Sequence, residues 1–434
     1  MTTDRGSPQT GAEAVGQVSR GRALVAVAGL SLALFAFATV EALPVGLLPQ
    51  IAHGLKVSLQ SVGFLVTGYG LVVMATAVPL TAVTRRIPRR RLLAVLLALF
   101  TGATLLCGTA PGYGVLLGAR VLIALTHAVM WSVVASAAAG MFPVRVRAKV
   151  VATLFGGSAL AQVLGAPAGT WLGQQTDWRV PFVVMSGLGL VAGIAVVGML
   201  PSTPVEENPA ATAPAPDRFR FLLLVVVTAV VIGGFFAFYT YVTVFLTDVA
   251  GISSHSVGAV LAVGGVGGLI GTGLSGTTAA RSTRATMTGS VAVVTAALAL
   301  LVVAGNRPAA SVTAVTLLLL ALSGMVTALT SRILHIAPGN VDVASASGSA
   351  AFQAGIAAGS FLGGNVLDAH GPHGAAVLGL CLAAAGLVLL LAEDRLSRLA
   401  GAVTRPRDPA GGVTRPRGPA GKVTRPRGPA GPCN

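Results

Sequence analysis

Apolar residues in this chain gather into twelve runs: Ala23 to Gln50, Val62 to Thr84, Leu92 to Ala110, Val115 to Gly140, Val150 to Gly173, Val180 to Leu200, Phe219 to Thr247, Val257 to Ala280, Ala285 to Gly305, Ala309 to Arg332, Val343 to Val366 and Gly374 to Ala392. A helix rises about 1.5 Å per residue, so about twenty apolar residues cross a bilayer core. Most of the runs reach that length. With lipid outside, each crossing segment must satisfy its own backbone hydrogen bonds, and the scattered Gly and Pro suit packed helices better than the alternation of a barrel. The pattern predicts an all-α polytopic membrane protein with twelve transmembrane helices. A Pro/Ala/Glu-rich linker divides them six and six, giving halves over 23–200 and 219–393, with 1–22 before them, the linker at 201–218 and a tail at 394–434.

Composition and charge sharpen this picture. Apolar residues make up 54% of the 434 and charged residues 10%, against roughly 25% charged in soluble domains. The net charge of +16 is distributed by side: Arg5, Arg20, Arg22, Arg85, Arg86, Arg89, Arg90, Arg91, Arg145, Arg147, Lys149, Arg218, Arg220, Arg281, Arg284 and Arg332 fall on the side shared by both termini, whereas the opposite loops hold Lys56, Arg179 and Arg307. By the positive-inside rule both termini are cytoplasmic and the protein is a multi-pass protein of the cell membrane. The charge then reports topology and calls for no nucleic-acid partner.

The halves repeat weakly. Ser61-Val62-Gly63 opens the second run and Ser256-Val257-Gly258 the eighth. The same offset of 195 places Gly70 on Gly265, Arg86 on Arg281 and Arg89 on Arg284. Two pseudo-symmetric six-helix halves facing across a cavity are expected, as in repeat-built transporters.

Few residues carry chemistry. Of 13 acidic residues only Glu41 lies well inside an apolar run, and an intramembrane carboxylate is costly unless paired, solvated or protonated. Burial favours its neutral form and a nearby cation its charged form, so alternation between such surroundings would let it carry a proton. Arg120 is the one basic residue deep in a run, at a depth like that of Glu41; a structural ion pair would also explain it. His127 lies seven residues further on nearly the same face, with Trp131 one turn beyond, and imidazole changes charge near neutral pH. Tyr69, Trp131, Phe238 and Tyr239 are aromatic candidates for a cavity wall, although packing explains each singly. Cys107, Cys381 and Cys433 have no metal-ligand spacing, and no zinc-protease, phosphate-loop or nucleophile-elbow motif occurs, so neither an enzyme, a metal site nor a bound cofactor is expected. The tail repeats Val-Thr-Arg-Pro-Arg three times from Val403, Val413 and Val423, a composition that builds no core; it is expected to be disordered, with attraction to anionic lipid as one use.

The stretch Glu41-Ala42-Leu43-Pro44-Val45-Gly46-Leu47-Leu48-Pro49, the basic loop from Arg85 to Arg91, Leu117-Gly118-Ala119-Arg120 with His127 and Trp131, Trp178-Arg179, and Arg332 with Ala337-Pro338 resemble the twelve-helix drug:proton antiporters of the major facilitator superfamily, nearest the arabinose-type efflux permease and chloramphenicol-type exporter branch. The likeness runs from about Ala23 to Arg395. It implies a proton-coupled exporter of a small amphipathic compound working by alternating access, with Arg120 in proton coupling or substrate binding beside Glu41 and His127, the coupling candidates read from the residues; a single chain encloses its own cavity, so a monomer is expected. It also implies gating by Arg86, Arg89 and Arg90 and close helix packing at Gly156, Gly165, Pro167 and Gly169. Two departures stand out: Arg85 takes the place of the loop's usual acid, and Ala166 intervenes between Gly165 and Pro167. A sugar or metabolite carrier of the same fold, or a membrane-embedded receptor or sensor, are the alternatives.

Overall fold

The computed structural model describes residues 20–84, 86–139, 141–142, 144–200, 217–336 and 341–404. The expected N-terminal segment, the linker, Arg85, Ala337-Pro338 and the tail repeats beyond residue 404 lie outside the described residues. Ten helices are each long and apolar enough to cross a membrane. Two more spans complete the twelve. The fifth is divided into Val144–Leu160, a π turn Ala161–Gly165 and Ala166–Gln175, and the last helix, Val341–Leu391, contains two spans that reverse at Gly371, where φ is +71° ahead of Pro372. The remaining spans are Arg20–Gly46, Leu59–Thr84, Arg89–Gly108, Tyr113–Ala139, Val180–Met199, Arg218–Tyr239, Ser254–Arg281, Thr283–Ala304 and Pro308–Ile336. Most start one to three residues before their apolar runs, because polar residues at a membrane surface still complete a helix.

Backbone geometry shows the repeat. The first span breaks at Leu47 (φ −107°, ψ 17°) and continues as Leu48–Leu55; the seventh breaks at Tyr241 (φ −110°, ψ 17°) and continues as Val242–Asp248. The second and eighth spans open on the same hydroxyl pair at the 195-residue offset, Ser58 with Ser61 at 2.9 Å and Ser253 with Ser256 at 2.8 Å. Each half is built on a buried apolar core, the first taking in Tyr241, Val244 and Leu367 of the second half and the second taking in Val45 and Val66 of the first. Within the first, the first and fifth spans run side by side: Gly157, Gly165, Gly169 and Gly173 face Ser31, Thr39, Leu43 and Leu47, all at a separation of 126 residues. Gly156 is not on this seam. It is exposed, and a methyl group there would meet nothing, so the close approach expected of it belongs to Gly157.

The halves meet at the face remote from the arginines, here the far face. The second span packs on the eleventh through Gly70, against the Gln353 carbonyl, and on the break after the seventh through Gly63, against the Tyr241 hydroxyl; the eighth packs on the fifth through Gly258 and Gly265, against Pro167 and Gln162. The repeated glycines are thus the residues on which the halves touch. Gln60 Nε2 donates to Asn365 Oδ1 at 2.7 Å, Thr243 Oγ1 to the Val45 carbonyl at 2.8 Å, and Gln175 bonds His255 Nδ1 at 2.9 Å.

At the basic face the second half is fastened by charge. Beyond the twelfth span the chain forms a further helix, Glu393–Thr404, so the expected disordered tail begins with ordered residues. The reason is ionic. Glu393 Oε1 accepts from Arg332 at 2.5 Å, with both side chains buried, and Asp394 accepts from Arg284 at 2.6 Å and faces Arg220 at 3.6 Å. The Arg284 hydrogen bond holds the Asp394 carboxyl below its ordinary range. Asp394 therefore stabilises the fold above the ordinary carboxylate pKa, and that contribution fades as pH falls through its lowered value.

Glu393→Ala should strand the buried Arg332 guanidinium and destabilise the second half by about 3–5 kcal/mol. A depressed melting temperature in detergent is expected, recovered in the Arg332→Met/Glu393→Leu pair. Equal melting of Glu393→Ala and wild type would exclude this fastening.

Candidate functional site

Proline 44 sits inside the first span. It has no N–H, and its ring crowds the carbonyl four residues back, so the Val40 oxygen loses its helical hydrogen bond in the middle of an apolar core. Arg120 supplies the replacement: Nη1 donates to the Val40 carbonyl at 2.7 Å, and Nη2 lies 3.4 Å from the Glu41 carbonyl. The guanidinium carries the largest fully buried side chain described, at 1% exposure, and its carbon stands 4.6 Å from the Tyr69 ring centroid, a cation–π distance. Arg120 is therefore bound to the backbone beside Glu41 and not to the Glu41 carboxylate. Its equal depth arises because it fills a vacancy one residue away.

The carboxylate points elsewhere. Glu41 Oε2 lies 3.6 Å from His127 Nδ1, and the glutamate side chain keeps 31% of its surface exposed while the imidazole keeps 5%. The same His127 nitrogen is 2.7 Å from the Tyr69 hydroxyl. Trp131 stacks on the imidazole with ring centroids 4.8 Å apart, and Phe37 closes another edge at 6.4 Å. Spans one, two and four thus deliver Glu41, Tyr69, Arg120, His127 and Trp131 to one place. Chemically it offers a carboxylate open on one side, an imidazole one short step behind it, and a phenol joining the imidazole to a fixed cation. Such a chain can take up, share and release a proton. Among the described residues no group of three metal-ligating side chains gathers.

The other candidates lie apart. Phe238 is buried against Phe245 in the core of the second half, so it packs and lines no cavity here; Tyr239, half-buried, packs on Phe235 and Phe236. Arg90 donates to the Val197 carbonyl at 2.9 Å, tying the third span to the sixth within one half. Arg86 is exposed and Arg89 half-buried. Pro167 follows the π turn, and Gly165 and Gly169 take the first span at close range. Sequence reasoning overlooked Val40, although Pro44 gives it by a four-residue count, and overlooked the pair Glu393 and Asp394.

If Arg120 is held by the vacancy at Val40, restoring the helical N–H with Pro44→Ala should make Arg120 partly redundant. Arg120→Met should then cost less in the Pro44→Ala background than alone, with a coupling of about 1–3 kcal/mol in a double-mutant thermal-melt cycle. Strict additivity would reject the link.

Comparison with known proteins agrees with this architecture. The sequence profile of the Major Facilitator Superfamily matches residues 30–350. The chain is 33% identical over 382 residues to an uncharacterized MFS-type transporter of Bacillus subtilis (strain 168), covering 86% of this chain and 95% of that one. It is 30% identical over 362 residues to a probable sugar efflux transporter of Mannheimia succiniciproducens, covering 83% and 91%. Among solved structures, an inward-facing, unoccupied bacterial homolog of the human lysosomal transporter Spinster superposes with a TM-score of 0.67 at 16% identity, covering 88% of this chain and 98% of that one. The human organic anion transporter TETRAN superposes at 0.61 with 15% identity, covering 85% and 98%.

Proposed function

The chain belongs to the Major Facilitator Superfamily, and from that premise we propose that it is a proton-coupled exporter of a small amphipathic compound, exchanging substrate for protons by alternating access. It is a membrane transporter and not an enzyme. The observation that carries the coupling is Glu41: a part-exposed carboxylate 3.6 Å from a buried imidazole, beside a deeply buried cation, Arg120, that is already committed to backbone oxygens. A proton arriving at Glu41 removes its charge, and the carboxyl then becomes a donor that His127 or a substrate can accept. Release of that proton restores an anion which Arg120, 1% exposed and anchored one residue away, keeps tolerable.

Export rests on the likeness to the drug:proton antiporters and on the relative whose name states efflux. The arginine-rich face is the cytoplasmic one by the positive-inside rule, and the halves touch at the far face. Trp131, the part-exposed ring stacked on His127, is the aromatic surface there that suits an amphipathic ligand. Sugar efflux is the second reading, favoured by the relative whose name states that function. A monomer encloses all of the site residues. Protons and the solute are its partners, with lipid around it.

The test uses protein reconstituted in vesicles with an imposed pH gradient, with chloramphenicol and arabinose as probes. Gradient-driven flux of one probe is expected from wild type. Glu41→Gln should lose at least tenfold of it at equal membrane abundance, because the amide keeps size and hydrogen bonding but cannot cycle charge. Undiminished driven flux in Glu41→Gln would sink the coupling role, and the probe that moves decides between drug and sugar.

A further inference from the structure

A trench of about 430 Å³ lies between the eighth and ninth spans, with the tenth as its floor. Small residues form its base. Gly271, Ser275, Ala321 and Gly324 are buried there, where the spans pack so closely that a side chain at Gly271 would meet the Leu320 backbone, while Leu274 and Val293 form its rims. Most of its hydroxyls are engaged: Ser275 is bonded to the Thr272 carbonyl and the Thr327 hydroxyl, Thr278 donates to the Leu274 carbonyl, Thr286 donates to the Ser282 carbonyl and Ser282 accepts from the Ala285 N–H, which leaves Ser290. A polar solute would find few of its hydrogen-bonding groups answered there. To a ligand the walls are mostly hydrocarbon.

Arg281 stands at the basic-face end of the trench, exposed. Its neighbour Arg284 is occupied by Asp394 and Glu393, so Arg281 is the cation left to face a ligand. From Arg281 back to Gly271 is ten residues of one helix, an axial length of about 15 Å. That is half of the roughly 30 Å hydrocarbon thickness, or the depth of one leaflet. An apolar slot one leaflet deep and ending at a cation at headgroup level has the dimensions and polarity of one acyl chain of a lipid with its headgroup at the surface.

We propose that the trench is a binding site for an anionic phospholipid, its acyl chain lying along Leu274 and Val293 and its phosphate at Arg281. The ordinary alternative, a groove filled by whichever lipid is passing, has no headgroup preference. The built-in cation predicts one. A basic residue near a membrane surface attracts an anionic headgroup by about 1 kcal/mol, or about fivefold in affinity. Gly289 lines the trench, and a side chain there would meet nothing within 4 Å, so Gly289→Leu should plug the trench without disturbing the fold.

Native mass spectrometry of the delipidated full chain in detergent, titrated with dioleoyl phosphatidylglycerol or dioleoyl phosphatidylcholine, reads the occupancy directly. Wild type is expected to hold one phosphatidylglycerol about fivefold more tightly than phosphatidylcholine. Arg281→Ala should erase that preference, Arg281→Lys should retain it, and Gly289→Leu should remove the tight site at an unchanged melting temperature. Equal affinity of wild type for the two lipids would overturn the headgroup assignment. Undiminished phosphatidylglycerol binding by Gly289→Leu would overturn the location, and displacement by millimolar inorganic phosphate would overturn a lipid in favour of a free anion.

Discussion

One carbonyl oxygen without a helical partner organises the first half. Pro44 creates it at Val40, lipid-side packing denies it water, and Arg120 reaches from the fourth span to answer it at 2.7 Å. An unsatisfied backbone group in such surroundings costs several kcal/mol, and a buried guanidinium without acceptors costs more. Each makes the other tolerable. Once Arg120 is fixed, its charge is fixed as well, and Tyr69 settles beneath it with its hydroxyl turned to His127. The carboxylate of Glu41 is left outside this locked set, adjacent to it and partly exposed. A titrating group needs that placement: a stabilising field nearby and a free approach for protons.

The second half shares the backbone plan but not the chemistry. At the repeat offset of 195, Tyr69, Arg120 and His127 fall on Gly264, Val315 and Leu322, and at the offset of 194 set by the matching helix breaks Glu41 falls on Phe235. Every polar member of the site has an apolar or side-chain-free counterpart. What the repeat has kept is the seam. Gly63 and Gly70 face the eleventh span and its neighbourhood as Gly258 and Gly265 face the fifth, because close approach of backbones is required of both halves for the same closure. Chemistry needed once has been kept once, and geometry needed twice has been kept twice.

The span count, the six-and-six division and the repeated glycines were legible because each depends on a periodic or local rule: length against bilayer thickness, or register against register. The convergence of Glu41, Arg120 and His127 was suggested by depth alone, and the true partner of Arg120 was not, since depth along an axis says nothing of rotation about it. Gly156 and Gly157 illustrate the same gap. Either fits a spacing pattern, and the difference is about 100° around the helix, which only the packed first span resolves. Glu393 and Asp394 were hidden for another reason. They lie outside any apolar run, and their partners are arginines more than 60 residues away in sequence, Arg332 and Arg284.

Where the charges sit also bears on how readily the halves separate. Among the described residues every ion pair lies within one half: Glu41 with His127 and Asp177 with Arg179 in the first, the arginine cluster around Glu393 and Asp394 in the second. The hydrogen bonds across the far face that join Gln60 to Asn365, Thr243 to Val45 and Gln175 to His255 form without an ion pair. A neutral hydrogen bond exchanged for water costs about 0.5–1.5 kcal/mol net, so the three together oppose opening by a few kcal/mol. That is the scale on which a two-state protein keeps both states populated. Breaking a buried ion pair costs about 3–5 kcal/mol by itself, and one such pair across the seam would rival all three bonds. Strong contacts within the halves and weak ones between them leave the halves rigid and their interface reversible, which is what a rocking mechanism requires.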